Sequence, residues 1–255
     1  AWCQISHDGI TLTVNEAKAL QAAAYLKKNL FHEFKFTDGP DLAFGLNLAS
    51  LVECLRILST GGSALDKPAT LELSYADETS CLMLTLVDGG AVTQCKLHTM
   101  DIEPIVPVAL AVEPPPPVRI VFRSDVLRDG LQELDWGGDG SAQREKRVTL
   151  RVLTSPPQLS FTVSSVDLGC EMEYPAESLI FFEAAHAVAQ DYRFSLLHLM
   201  LKCIKESEEA CLRLDYQGLL HLMCKFPSDL NSCDNVYVEF YLLPLYDDED
   251  ESSEP

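Results

Sequence analysis

Apolar positions along the chain follow two periods, and the switches between them mark out the elements. Short β-rich runs predict strands at Ile10–Val14, Leu20–Leu26, His32–Phe36 and Leu42–Leu46, with a turn at Thr37-Asp38-Gly39-Pro40. The spacing then lengthens. Leu48, Leu51, Val52, Leu55 and Leu58 form a helical stripe, with Asn47 placed to cap it and Gly61-Gly62 to stop it. Strands are predicted again at Ala69–Tyr75, Cys81–Val87 and Ala91–His98, the last two joined by the hairpin signal Asp88-Gly89-Gly90.

Residues 99–117 (TMDIEPIVPVALAVEPPPP) break both periods. Their prolines, four of them consecutive at Pro114–Pro117, predict an extended connector. Beyond it, Val118–Arg123 reads as a strand. Ser124 is placed to cap a helix whose apolar face is Leu127, Leu131 and Leu134, ended by the loop Trp136–Gly140. Strands follow at Arg147–Leu153, Leu159–Ser164, Leu168–Tyr174, Leu179–His186 and Asp191–Phe194. Leu196, Leu199, Met200, Cys203 and Ile204 form another helical stripe, and strands at Cys211–Tyr216, Leu219–Phe226 and Val236–Leu243 close the series.

The two halves share one order: strand, helix, three strands. It occurs once before the connector and once before the carboxy-terminal end. The second half also carries a strand and helix, Val118–Trp136, without a counterpart in the first. On this pattern domain 1 spans 1–98, the connector 99–117, domain 2 118–246, and an acidic tail 247–255. A missing opening strand and helix of about 30 residues predicts an amino-terminal truncation. It also predicts poor stability for a first domain whose apolar sheet face is partly uncovered.

Charge changes the picture in one respect. Nineteen Lys and Arg against 39 Asp and Glu give a net charge of −20 over 255 residues, which argues against tight wrapping of a polyphosphate. The tail Asp247–Pro255 holds six carboxylates and no base, so it is expected to be solvated and disordered, with Ser252 and Ser253 as candidate phosphorylation sites. The connector holds three more acids, and the remainder is spread over the two halves. Nine cysteines, an odd number without a C-x-x-C pair, sit mostly in apolar runs and read as reduced, intracellular thiols. No apolar run is long enough to span a bilayer.

The motifs GITLTVNEAKALQAAAYL, LFHEFKF, LNLASLVECLRIL and LTLVDGGAVTQCKLHT, followed by VRIVFRSDVLRDGLQELD, EMEYP and VYVEFYLLP, resemble in order and spacing the eukaryotic sliding clamps of the PCNA type. Within them the chain is most similar to the Rad-one-type subunits of the DNA-damage checkpoint clamp, the Rad-nine, Rad-one, Hus-one heterotrimer. The resemblance implies an α+β, PCNA-like fold, with outer antiparallel sheets, inner helices and three subunits in a ring. It implies a nuclear, non-enzymatic platform for checkpoint and repair proteins. A clamp loader would place it around double-stranded DNA, held without sequence preference and without a cofactor. By the same resemblance Arg56, Arg128, Lys202 and Lys205 face the DNA. The strands around Val92, Gln94 and Lys96, and around Leu168, Cys170 and Met172, pair with neighbouring subunits.

Other chemistries fit less well. A replicative homotrimeric clamp and a 3′→5′ exonuclease are the alternatives. Asp101-Ile102-Glu103 is an Asp-x-Glu of the exonuclease kind, but it stands beside Pro104 in the connector, where no strand would fix two metal ions. His221 and Cys224, with Cys203 and Cys211 upstream, lack the paired spacing of structural zinc. Neither a Walker A sequence nor a G-x-S-x-G elbow is present.

Overall fold

The computed structural model describes residues 1–36, 39–59, 70–76, 80–88, 90–110, 114–134, 146–164, 168–227 and 236–246. The expected Gly61-Gly62 stop, the Trp136–Gly140 loop and the acidic tail lie outside the described residues. In the first half the chain forms β1 (Trp2–Ser6), β2 (Gly9–Glu16), β3 (Leu20–Lys27), β4 (Leu42–Gly45), helix α1 (Leu48–Ser59), β5 (Thr70–Ala76), β6 (Cys81–Asp88) and β7 (Ala91–His98). In the second it forms β8 (Val118–Arg123), α2 (Ser124–Glu133), β9 (Arg147–Thr154), β10 (Pro157–Ser164), β11 (Gly169–Pro175), β12 (Phe181–Ala184) and β13 (Val188–Arg193). Helix α3 (Phe194–Glu206), β14 (Glu209–Leu214), β15 (Leu220–Phe226) and β16 (Val236–Leu242) complete it. No described helix is long and apolar enough to cross a membrane.

Three antiparallel sheets result. One has nine strands in the order β12-β8-β14-β15-β16-β3-β2-β1-β4, one has four, β11-β10-β9-β13, and one has three, β5-β6-β7. The repeat is visible in the pairing itself. The segment β4-β1-β2-β3 repeats β13-β9-β10-β11, and β5-β6-β7 repeats β14-β15-β16. The halves are joined where β16 runs beside β3, with Val238 opposite Ala24 and Leu242 opposite Leu20.

Each half encloses its own apolar core. Leu127 and Leu131 of α2 and Leu197, Met200 and Ile204 of α3 pack onto Ile120, Leu212 and Leu222 of the large sheet and Leu150 and Phe161 of the four-stranded sheet. The smaller core sets Leu58 of α1 against Cys3, Phe44, Leu84 and Leu97. In both, helices close one side of a core whose other walls are sheets, as expected where each element has one apolar face to cover.

The seam between the halves is polar on its outer side. Tyr25 and Tyr241 each donate a hydrogen bond to Glu239 Oε2 at 3.2 Å. His221 Nε2, on a ring almost wholly buried, lies 3.8 Å from Glu239 Oε1. Contact with the His221 imidazole holds the Glu239 carboxyl below its ordinary range, outweighing the upward push of burial. Burial, then the Glu239 charge, pushes the Tyr25 phenol up to about 12. Gln21 of β3 ties the connector to this seam, donating to the Val106 carbonyl at 3.0 Å and accepting from the Val108 N–H at 2.7 Å.

Three expectations need correction. Residues 32–36 form no strand. In the second half the matching segment is β12, which exists because it pairs with β8, and among the described residues of the first half no strand stands where β8 does. Ser124 does not cap α2: the cap position is Arg123, and the Ser124 hydroxyl bonds Ser207 Oγ at 2.8 Å. Helix α3 begins at Phe194, which the sequence pattern assigns to the end of a strand. Asn47 does cap α1, its Oδ1 accepting from the Ser50 N–H at 3.2 Å, and the two-residue hairpin between β6 and β7 sets Asp88 opposite Ala91.

Candidate nucleic-acid interface and subunit edges

The helices carry the predicted DNA-facing cations, and their electrostatic states differ. Arg56 on α1 pairs with Glu53 one turn earlier, at 3.1 Å. Arg128 on α2 pairs with Asp129 at 2.6 Å, and Arg123, just before α2, pairs with Asp125 at 2.6 Å. With Glu133 also exposed, α2 presents more negative than positive charge. Lys202 and Lys205 on α3 are exposed and have no ion-pair or hydrogen-bond partner among the described residues. They are three residues apart, so they share one face. His198, four residues before Lys202, is exposed on the same face, a placement that its i, i+4 spacing from Lys202 signals in the sequence. Because α2 and α3 pack side by side, Arg128 and the two lysines belong to one helical layer, while Arg56 stands on the helix of the other half.

Among the described residues the predicted interface strands are the edge strands of their sheets. β7 is the last strand of the three-stranded sheet and β11 the last of the four-stranded sheet. On β7, Val92, Gln94 and Lys96 alternate outward, opposite Leu97 in the core. On the other edge, Cys170 and Met172 pack partly against the core, and Leu168, expected within the strand, is exposed just before it. Tyr174 anchors β11 to α2: its hydroxyl reaches the Val126 carbonyl at 3.4 Å. It does so above Gly130, where an added Cβ would lie 1.7 Å from the phenol oxygen.

The other candidate chemistries separate in space. His221 and Cys224 point to opposite faces of β15, since Cys224 lies in the core with Leu220 and Leu222. They cannot share an ion. Asp101 and Glu103 are exposed on coil, and Ile102 between them packs on Gly45. Among the described residues no three His, Cys, Asp or Glu side chains converge on a metal site.

Sheet order, paired helices and open edges define a clamp of the PCNA type. The proliferating cellular nuclear antigen of Entamoeba histolytica matches with a TM-score of 0.73 at 17% identity, over 96% of this chain and 89% of that one. A PCNA2–PCNA3 complex from Sulfolobus tokodaii matches with a TM-score of 0.71 at 18% identity, over 95% and 89%. These fix the α+β, PCNA-like fold. In sequence, the family described as "Repair protein Rad1/Rec1/Rad17" matches residues 1–224, and the chain belongs to that family. The cell cycle checkpoint protein RAD1 of Mus musculus is 29% identical over 253 residues, covering 96% of this chain and 84% of that protein. The DNA damage checkpoint control protein rad1 of Schizosaccharomyces pombe is 28% identical over 265 residues, covering 95% and 78%. The chain is thus a subunit of the DNA-damage checkpoint clamp type.

Proposed function

We propose that this chain is a non-enzymatic member of a heterotrimeric ring. The ring closes around double-stranded DNA in the nucleus after a clamp loader opens it, and then serves as a platform for checkpoint and repair proteins. Residues 1–98 and 118–246 act as its two similar domains and 99–117 as the connector.

The observation that carries the ring is the seam. By the repeat, β16 corresponds to β7 and β3 to β11. The antiparallel pairing of β16 with β3 inside the chain is therefore a template for pairing β7 with a β11-like strand of one neighbour. It is equally a template for pairing β11 with a β7-like strand of the other. Both edges are seven residues or longer and have no interior proline, so two of the guards against strand addition, shortness and an interior proline, are missing.

The weak basic character of the helices supports a topological hold rather than tight wrapping. A ring needs only screened phosphate contacts that permit sliding, and Lys202 and Lys205 are the side chains free to make them, with Arg128 and Arg56 already neutralised in part. The exposed coil position of Asp101 and Glu103 supports a chain without nuclease chemistry, which needs fixed metal ligands. Co-expression with the two other clamp subunits, followed by native mass measurement, tests the reading. One copy of each subunit in the assembly is expected; a trimer of this chain alone would overturn it.

A further inference from the structure

We infer that the cleft between the β14–β15 turn, the start of β13 and Tyr246 is a binding site for an arginine side chain presented by a basic peptide segment of a partner protein. This site is separate from the subunit edges and does not depend on ring closure.

The cleft measures about 610 Å³. Aromatic faces form its walls. Tyr216 stacks on His186 with centroids 6.0 Å apart and planes 27° from parallel, and Tyr216 and Tyr246 are 58% and 69% exposed. Large exposed rings around a concave site are unusual for a surface that only meets water.

The frame is rigid. Tyr192, fully buried, donates to the Gly218 carbonyl at 2.7 Å, and Tyr246 donates to the Gln217 carbonyl at 3.1 Å. Asp215 Oδ1 accepts from the Gln217 and Leu219 N–H groups at 2.9 and 2.8 Å, leaving its second oxygen without a hydrogen-bond partner among the described residues. Gly218 has φ +78°, and a Cβ there would meet Gln190 Oε1 at 2.7 Å. The turn is thus held from both sides, which lowers the ordering cost of binding.

Charge selects the ligand. Asp215 supplies a carboxylate, no Lys or Arg among the described residues lines the cleft, and the sequence runs on from Tyr246 into Asp247-Asp248-Glu249-Asp250-Glu251. A phosphate or acidic peptide would be repelled. A cation over tyrosine faces beside a carboxylate is favoured, and guanidinium suits it best because it is planar, weakly hydrated and stacks on rings.

The probe is a fluorescein-labelled Gly-Ser peptide with one central arginine, compared with its citrulline twin in about 0.15 M salt, where long-range attraction is screened. The full chain is expected to prefer arginine by about five-fold or more. Tyr216→Phe should keep the preference and Tyr216→Ala should lose it, with far-UV circular dichroism unchanged. The arginine peptide should also shift the ring resonances of Tyr216 and Tyr246 in the unsubstituted chain, a reading that needs no variant. Equal binding of the two peptides would overturn the inference. So would a preference that survives Tyr216→Ala but vanishes when residues 247–255 are removed, or displacement of the arginine peptide by a single-stranded oligonucleotide.

Discussion

Leu55 and Leu201 are the eighth residues of α1 and α3, the two helices that the repeat makes equivalent, yet their surroundings differ. Leu201 is 6% exposed and packs in the larger core, where α2 lies against α3. Leu55 is 38% exposed, and among the described residues no helix covers α1 as α2 covers α3. Truncation to alanine removes about 2.4 kcal/mol of transfer free energy from a fully buried leucine, at roughly 0.8 kcal/mol per methylene. At Leu201 nearly all of this is lost and a cavity is left besides, for a total of about 3 kcal/mol. At Leu55 about three-fifths of it applies and solvent fills the gap, giving about 1.5 kcal/mol. Urea unfolding of the two variants, followed by far-UV circular dichroism, should separate them by about 1.5 kcal/mol. Equal costs, or a larger one for Leu55→Ala, would refute the claim that Leu55 on α1 is only partly covered where Leu201 on α3 is buried.

Four further predictions concern the seam, the edge and the helices. Glu239→Gln should flatten the acid limb of the stability profile. The lowered carboxyl value makes Glu239 stabilise fully above its ordinary value of 4.5, with that contribution lost as pH falls through the folded value. Parallel urea profiles of variant and wild type from pH 7 to 3 would contradict this. At the alkaline end, the raised Tyr25 value predicts stability intact below its ordinary value of 10.0 and lost as pH rises through about 12. Gly130→Ala should destabilise by about 1–3 kcal/mol despite alanine's better helix propensity, because the Tyr174 phenol must move; a gain in melting temperature would show that it moves freely. Lys202→Ala and Lys205→Ala should each reduce the salt slope of DNA binding by the assembled clamp by about 0.9. Arg56→Ala, whose guanidinium is already paired, should change it less; the opposite order would remove α3 from the DNA-facing surface.

Much of this architecture was legible in the sequence because periodicity and turn chemistry are local. The α1 stripe, its Asn47 cap and the two-residue hairpin before β7 were all readable, as was the order-level repeat. What failed depended on partners distant in the chain. Residues 32–36 have strand composition, but a strand needs a ladder, and the partner that β12 finds in β8 has no counterpart beside them among the described residues. Ser124 has cap chemistry, but its hydroxyl is taken by Ser207, 83 residues away. Among the cations, type and spacing placed four on helices. Only the structure separated Lys202 and Lys205 from Arg56 and Arg128, whose acidic neighbours in sequence close onto them. The Tyr216–Tyr246 cleft was invisible because its walls come from three separate segments.

Backbone hydrogen exchange tests the ring most directly. It would be measured by mass spectrometry on the free chain and on its assembly with the two other clamp subunits. Within residues 91–98 and 169–175 the amides that face away from β6 and β10 should exchange fast in the free chain and become protected on assembly, while the β3–β16 seam, already paired, should stay unchanged. Protection that leaves both edge strands as exposed as before, or that falls on the helices instead, would contradict closure of the clamp through β7 and β11.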